Sequence, residues 1–233
     1  MINKKRVLGI IPARGGSKGI PRKNIINFNS KPLISWTIET AKKSKYIDSL
    51  FLSSEDQEII NVAKEYGLDV PFVRPVKLAT DVTPGNDVVL HALEKCPGFD
   101  IIVLLQPTSP LRTNEDIDGA IRKMISARAK ACVSVARSDK HPYWMYNLDK
   151  NEKLIPVIDK SPIISNRQEL PVIYTLNGSV YVAMVDWFLT NKKFLSKDTI
   201  GFIMPKKRSI DIDDYDDLIF AETLMNKYKI IEK

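Results

Sequence analysis

From Val7 to Ala136 short apolar runs alternate with stretches of helical spacing, and this order limits the possible folds more than any other property of the chain. Apolar runs at 7–11, 48–53, 70–73, 100–105 and 131–136 read as strands. Helical spacing covers 32–41, 56–66, 86–95 and 114–129, with Gly67 as a stop signal and Thr113 or Asn114 as a cap. Pro71 marks the run at 70–73 as an edge strand or a loose start. Strictly alternating strands and helices predict an α/β fold: a doubly wound, mostly parallel sheet. Such sheets bind ligands beyond the carboxyl ends of their strands. Two polar loops fall at such ends, one after Ile11 and one after Leu105.

The alternation breaks at Ser138. Residues 138–171 are irregular and polar, punctuated by Pro142, Pro156, Pro162 and Pro171. They carry the aromatic cluster Tyr143, Trp144 and Tyr146. This stretch reads as an excursion from the sheet, with a packed loop over the core as the other reading. The core resumes with a strand at 179–183, a helix at 186–195, a strand at 199–204 and a last helix at 215–228. The chain is expected to be one domain over 1–233, with an arm inserted at about 138–172.

A hydrophobic content of 44% with 27% charged residues is that of an ordinary soluble globular protein. The net charge of +7 favours anionic partners, although a lysine-rich surface accounts for the same number. Cys96 and Cys132 lie far apart, which is neither a metal pattern nor a disulfide framework. The apolar run after the basic start is too short for a signal peptide, and no run reaches membrane-spanning length. A cytoplasmic protein is expected.

Four constellations could carry chemistry; one, Phe72 to Asp81, is taken up with its motif below, and its Asp81 reads equally as the holder of its own turn through side-chain to backbone bonds. The first is the loop Pro12 to Asn24, which holds Gly15, Gly16, Gly19, Arg14, Ser17, Lys18, Arg22 and Lys23. Glycines let backbone N–H groups approach an anion, while Arg14 and Lys18 supply charge. Its spacing is neither that of the Walker A loop nor that of the dinucleotide fingerprint. An anion site and a basic surface loop are both compatible with it. The second is the strand end Leu104 to Arg112, a rigid polar turn carrying Gln106, Thr108 and Ser109. The third is Asp211 and Asp213, whose i, i+2 spacing on an extended segment aims both carboxylates to one side. Paired carboxylates suit Mg²⁺. Asp213 and Asp214 also stand where the last helix wants a cap.

The wording of these segments is more specific than their chemistry. Ala13 to Asn24 reads A-R-x-x-S-K-x-x-x-x-K-N, Arg74 to Asp81 reads R-P-x-x-L-A-x-D, and Leu104 to Arg112 reads L-L-Q-P-T-S-P-L-R. Asn177 to Tyr181 reads N-G-S-V-Y, and Ser209 to Asp213 reads S-I-D-I-D. In this order and spacing the segments resemble the acylneuraminate cytidylyltransferases, or CMP-sialic acid synthetases, over essentially the whole chain. The resemblance implies a Rossmann-like nucleotidyltransferase that moves CMP from CTP to the anomeric hydroxyl of an acidic nine-carbon sugar.

It also implies roles. Arg14, Ser17, Lys18, Asn24 and Arg74 would bind the nucleotide. Gln106, Tyr181 and Phe194 would face the sugar, with core packing as the alternative for the two aromatics. Asp211 and Asp213 would hold Mg²⁺. The excursion would be a dimerisation arm, bringing Arg167 to the neighbouring site of a homodimer. Three departures concern the substrates: Val82 to Gly85 lacks a serine often found near the cytosine, Trp144 stands where a lysine is common, and a third precedes Asn177. Leu176 precedes Asn177, as in relatives that act on legionaminic acid and similar bacterial sugars more often than in sialic acid enzymes. Rival readings are a synthetase for the eight-carbon sugar Kdo and a nucleotide- or nucleic-acid-binding module without turnover. The chain has no stripe of aromatics interleaved along a basic face, so no nucleic-acid partner is expected.

Overall fold

A computed structural model describes residues 2–158, 166 and 169–230. The strands are β1 Val7–Pro12, β2 Asn27–Phe28, β3 Lys31–Pro32, β4 Ser49–Ser53, β5 Ile101–Leu104, β6 Ala131–Arg137, β7 Tyr146–Leu148, β8 Leu154–Pro156, β9 Tyr174–Met184 and β10 Ile200–Ile203. The helices are α1 Leu33–Lys42, α2 Gln57–Glu65, α3 Gly85–Lys95, α4 Asn114–Ser126, α5 Val185–Asn191 and α6 Tyr215–Tyr228.

Strands β10-β6-β9-β5-β1-β4 form one sheet in that order. The pairs β1–β4, β1–β5 and β6–β10 are parallel, while β9 runs antiparallel between β5 and β6. Period-two alternation divides β1 between two cores. Val7 and Ile11 pack with α1, α2 and α4; Leu8 and Ile10 pack with α3 and α5. A third cluster joins Ile20, Phe28, Leu33 and Leu111 to Ile212 and α6. It closes the last helix onto the loop that follows β1. A reciprocal cap at Thr113 and Asp116 starts α4, where Asp116 Oδ2 accepts from the Thr113 N–H at 3.0 Å.

The expected architecture holds, with three local corrections. Residues 70–73 form no strand; the chain only bridges Phe51 at Asp69, and Pro71 has no N–H to extend a ladder. Strand β9 begins at Tyr174, earlier than the expected 179, because a register shift between Val133 and Val135 absorbs the Asn177-Gly178 pair as a bulge. Helix α5 stops at Asn191, before the expected 195, because Lys192 turns into the left-handed region.

The excursion after β6 contains the β7–β8 hairpin, whose residues are exposed throughout. It leaves from the carboxyl edge of the parallel strands and returns as β9. The antiparallel course of β9 therefore brings Asn177 and Gly178 to the same edge as the ends of β1 and β5. Among the described residues no helix is long and apolar enough to cross a membrane.

Candidate active site

At that edge lies an open cleft of about 590 Å³. Arg14, Ser17, Lys18, Asn24, Arg74, Gln106, Asp211 and Asp213 all line it. Segments far apart in sequence thus meet at one place. Tyr181 and Phe194 are not among the lining residues. Phe194 is buried and stacks on Phe188 and Tyr181, with centroids 4.6 and 5.5 Å apart. Burial pushes the Tyr181 hydroxyl up. Phe194 belongs to the packed layer beneath the strand ends, while Tyr181 is half-buried at its edge, near enough to Asp211 for that carboxylate to raise its hydroxyl further. Arg167 lies outside the described residues.

The basic wall is braced from behind. Asn24 is buried and donates to the Arg14 carbonyl at 2.9 Å, so it fixes the loop. Glu55 accepts from the Gly15 N–H at 2.7 Å and from Arg74 Nη2 at 2.6 Å. Arg74 is 3% exposed, and its charge is matched by that carboxylate. Arg22 binds Asp56 through both terminal nitrogens and also reaches Glu58. This guanidinium holds the Asp56 carboxyl down to about 2. Arg22 is therefore a brace, not a ligand residue. Arg14 and Lys18 instead face the cleft.

The acidic wall follows β10. The backbone N–H of Ile212 donates to the Thr108 carbonyl at 2.8 Å, which docks this segment on the β5 end. Asp214, not Asp213, caps α6: its carboxylate accepts from the Asp217 N–H at 3.0 Å. That removes the capping reading for Asp213 and leaves its side chain 80% exposed in the cleft. Lys23 reaches across at 3.1 Å to Asp213 Oδ1 and at 2.7 Å to the Ile212 carbonyl. Lys23 was legible only as a possible solvated residue; its place beside Asn24 in the opening motif was the available signal.

Asp211 is the more buried of the two carboxylates. Burial pushes it up, against the Thr108 hydroxyl that pulls it down, and its Oδ1 has no hydrogen-bond partner. A buried carboxylate oxygen without a donor is a position that a cation satisfies. The donor set fits Mg²⁺, which takes oxygen ligands and draws the rest of its shell from waters and phosphates. Among the described residues no group of three or more His, Cys, Asp or Glu completes a protein cage.

Two glycines permit this approach. A Cβ on Gly178, at φ +71°, would lie 2.9 Å from Asp211 Oδ2, and one on Gly19 would overlap the Asp213 carbonyl. Asn177 accepts from Ser134 Oγ at 2.6 Å and donates to Ser209 Oγ at 2.9 Å, so β6, β9 and the acidic segment are tied together. Arg112 is fully buried. It donates to the Gln106 and Ser179 carbonyls at 3.2 and 2.7 Å and to Thr37 Oγ1 at 2.7 Å. Burial lowers its guanidinium to about 10. Its role is to hold the Gln106 turn. The basic turn at 206–208 is likewise structural: Arg208 grips Asp116 at 2.8 and 2.7 Å. His91 packs edge-on against Phe72 with centroids 5.3 Å apart, as a core histidine does.

A basic glycine loop after the first strand of an α/β sheet, facing an acidic pair across the cleft, suits a ligand that carries phosphates together with a cation. Residues 8–197 match the family model described as Cytidylyltransferase, and the chain belongs to that family. Asp211 and Asp213 lie beyond the matched residues.

The chain is 36% identical over 233 residues to the pseudaminic acid cytidylyltransferase of Campylobacter jejuni, covering 96% of each protein. It is 36% identical over 227 residues to the CMP-N,N'-diacetyllegionaminic acid synthase of Legionella pneumophila, covering 94% of this chain and 96% of that one. It is 33% identical over 225 residues to the N-acylneuraminate cytidylyltransferase of Escherichia coli; those span 96% of this chain but only 53% of that longer relative. In fold it is similar to a solved CMP:2-keto-3-deoxy-manno-octonic acid synthetase complexed with CTP. That likeness has a TM-score of 0.72 at 15% identity and covers 96% of this chain and 99% of that one. A 4-diphosphocytidyl-2C-methyl-D-erythritol synthase from Anaerococcus prevotii superposes with a TM-score of 0.68 at 17% identity, covering 97% and 98%.

Proposed function

We propose that the protein transfers CMP from CTP to the anomeric hydroxyl of a nonulosonic, sialic-type acid, giving the CMP-sugar and pyrophosphate. The observation that carries this reading is the meeting of Arg14 and Lys18 with Asp211 and Asp213 in one cleft. The family and the named relatives support the chemistry. The anomeric oxygen forms a bond to the α-phosphorus as the bond to the pyrophosphate oxygen breaks. Arg14 and Lys18 take up the negative charge of the triphosphate and of the departing pyrophosphate. Ser17 offers a hydroxyl to the same phosphates, and Asn24 and Arg74, which line the cleft and brace its loop, complete the nucleotide contacts. Lys23 holds the Asp213 segment against the loop. Asp211 and Asp213 would hold Mg²⁺, which supplies charge neutralisation and lowers the pKa of the attacking hydroxyl. Gln106, fixed by Arg112, stands at the cleft for the sugar.

The deciding experiment is pyrophosphate release from CTP with N-acetylneuraminic, legionaminic, pseudaminic and Kdo acids in parallel. Turnover with one of the first three, and little with Kdo, is expected. Release with none of them would return the protein to a non-catalytic nucleotide binder.

The same reading includes a cytoplasmic homodimer joined through the arm. Trp144, Tyr146, Leu148, Leu154, Ile155 and Val157 are large apolar residues left exposed on it, an area that suits a second copy. Arg167 would then reach the partner's cleft. A dimer mass by light scattering at micromolar concentration is expected; a monomer would count against the arm's role.

A further inference from the structure

The two cations assigned to the triphosphate already have an anion. Asp81 Oδ1 lies 2.8 Å from Arg14 Nη2, and Asp81 Oδ2 lies 3.0 Å from Lys18 Nζ. One carboxylate thus spans both cations, one oxygen to each, as a bound phosphate group would. The pairing with Lys18 and Arg14 keeps the Asp81 carboxyl below its usual range.

Asp81 belongs to the turn between Leu78 and α3. This turn is tied within itself, by Thr80 Oγ1 and Thr83 Oγ1 at 2.7 Å and by Thr83 Oγ1 donating to the Lys77 carbonyl at 3.3 Å. Its tip, Val82, is 88% exposed. Nothing in the core has to unpack for the carboxylate to withdraw. Thr80, Asp81 and Thr83 line the same cleft as Arg14 and Lys18.

We propose that Asp81 is an internal stand-in for a phosphate group: it holds Arg14 and Lys18 in binding geometry, is displaced by the triphosphate, and returns when pyrophosphate leaves. The inference rests on the reading of Arg14 and Lys18 as phosphate contacts. Solvent-exposed ion pairs are individually weak, so a ligand with several phosphate charges and charge-assisted contacts outcompetes one carboxylate. The competition still lowers the affinity for every ligand that needs both cations. It acts most visibly on pyrophosphate, which has no base or ribose to hold it. Asp81 thereby guards against a tightly held product.

The test is calorimetric binding of inorganic pyrophosphate to the full chain and to four variants. Asp81→Asn and Asp81→Ala are expected to bind pyrophosphate about three- to ten-fold more tightly than the unmodified protein, the range set by two released exposed pairs. In turnover assays both should be inhibited by correspondingly less pyrophosphate. Asp87→Asn is the charge control, since Asp87 lies in the first turn of α3 but does not line the cleft. Equal tightening in Asp87→Asn would reduce the effect to net charge and overturn the proposal. Unchanged or weaker binding in both Asp81 variants, with Arg14→Ala still weakened, would overturn the stand-in role while leaving the phosphate site intact. Unchanged affinity in Arg14→Ala would remove the phosphate site itself, and the proposal with it.

Discussion

The two walls of the cleft are built on opposite principles. On the basic wall each charge has a partner in the free protein: Arg22 has Asp56, Arg74 has Glu55, and Arg14 and Lys18 share Asp81. On the acidic wall Asp213 is exposed and paired with Lys23, while Asp211 is half-buried and its buried Oδ1 has no hydrogen-bond partner. The basic loop is thus held in shape whether or not a ligand is present. The acidic segment carries a local electrostatic cost that a cation would relieve. The difference locates paired charges on one side of the cleft and an unsatisfied carboxylate oxygen on the other.

The largest expected effect tests the acidic wall. Asp213→Asn and Asp211→Asn should each lower turnover by about 100-fold or more, the upper end of losses seen when a metal's surroundings are altered. Thermal melting should hardly move for Asp213→Asn, and for Asp211→Asn it should stay or rise, because a partly desolvated charge is removed. Added Mg²⁺ should rescue only partly. Full activity of Asp213→Asn at low Mg²⁺ would erase the contrast between the walls.

Next come Arg14→Ala and Lys18→Ala. Each removes a charge-assisted contact of about 1.5–3 kcal/mol, which is roughly 10- to 150-fold in the kcat/KM for CTP, with melting unchanged. Native kinetics in both would show that the basic wall does not meet phosphates.

Gly178→Ala is smaller but affects both stability and chemistry. The left-handed backbone costs about 1–2 kcal/mol for a residue with a Cβ, which a denaturant titration reads directly. The new methyl would also press on Asp211 Oδ2 from 2.9 Å. Activity should therefore fall further than the stability loss accounts for.

The smallest effect belongs to the brace. The folded Asp56 carboxyl is held near 2, against an ordinary 3.8. Its folded pKa is depressed, so its contribution is complete above about pH 4 and is lost as the pH falls through about 2. Arg22 is partly exposed, so solvent screening limits the pair to about 1 kcal/mol. Acid titration of Asp56→Asn against the unmodified protein should show the two stability curves converging across that window. Parallel curves would mean that the brace carries no weight.

Apart from the strand expected at 70–73, the order of the main strands and helices, the long α6, the loop cations and the paired aspartates were legible in the sequence. Each depends on residues close together in the chain: periodicity, a cap, an i, i+2 spacing. The antiparallel insertion of β9 was not legible, because strand direction depends on which neighbours pair across the sheet. Nor could local spacing divide the work between adjacent residues. Arg22 and Lys23 are consecutive, yet one braces Asp56 while the other enters the cleft beside Asp213. Asp213 and Asp214 are consecutive, yet only the second caps α6. Nor could a single stretch show that Arg74 lines the cleft with its charge matched by Glu55, or that Phe194 packs against Phe188, since those partners come from distant segments.

By itself, the sequence determined the class of fold, the chemistry available at each strand end and the family to which the segments belong. Propensity, alternation and short-range motifs are properties of contiguous residues, and they survive in any folded context. Only the tertiary structure decided which charges are spent on bracing, which face the cleft, and that Asp81 already sits between Arg14 and Lys18. Those outcomes depend on distances between residues up to 190 positions apart, as for Lys23 and Asp213. Electrostatic pairing falls off steeply with distance and depends on burial, and neither quantity exists until the chain has folded.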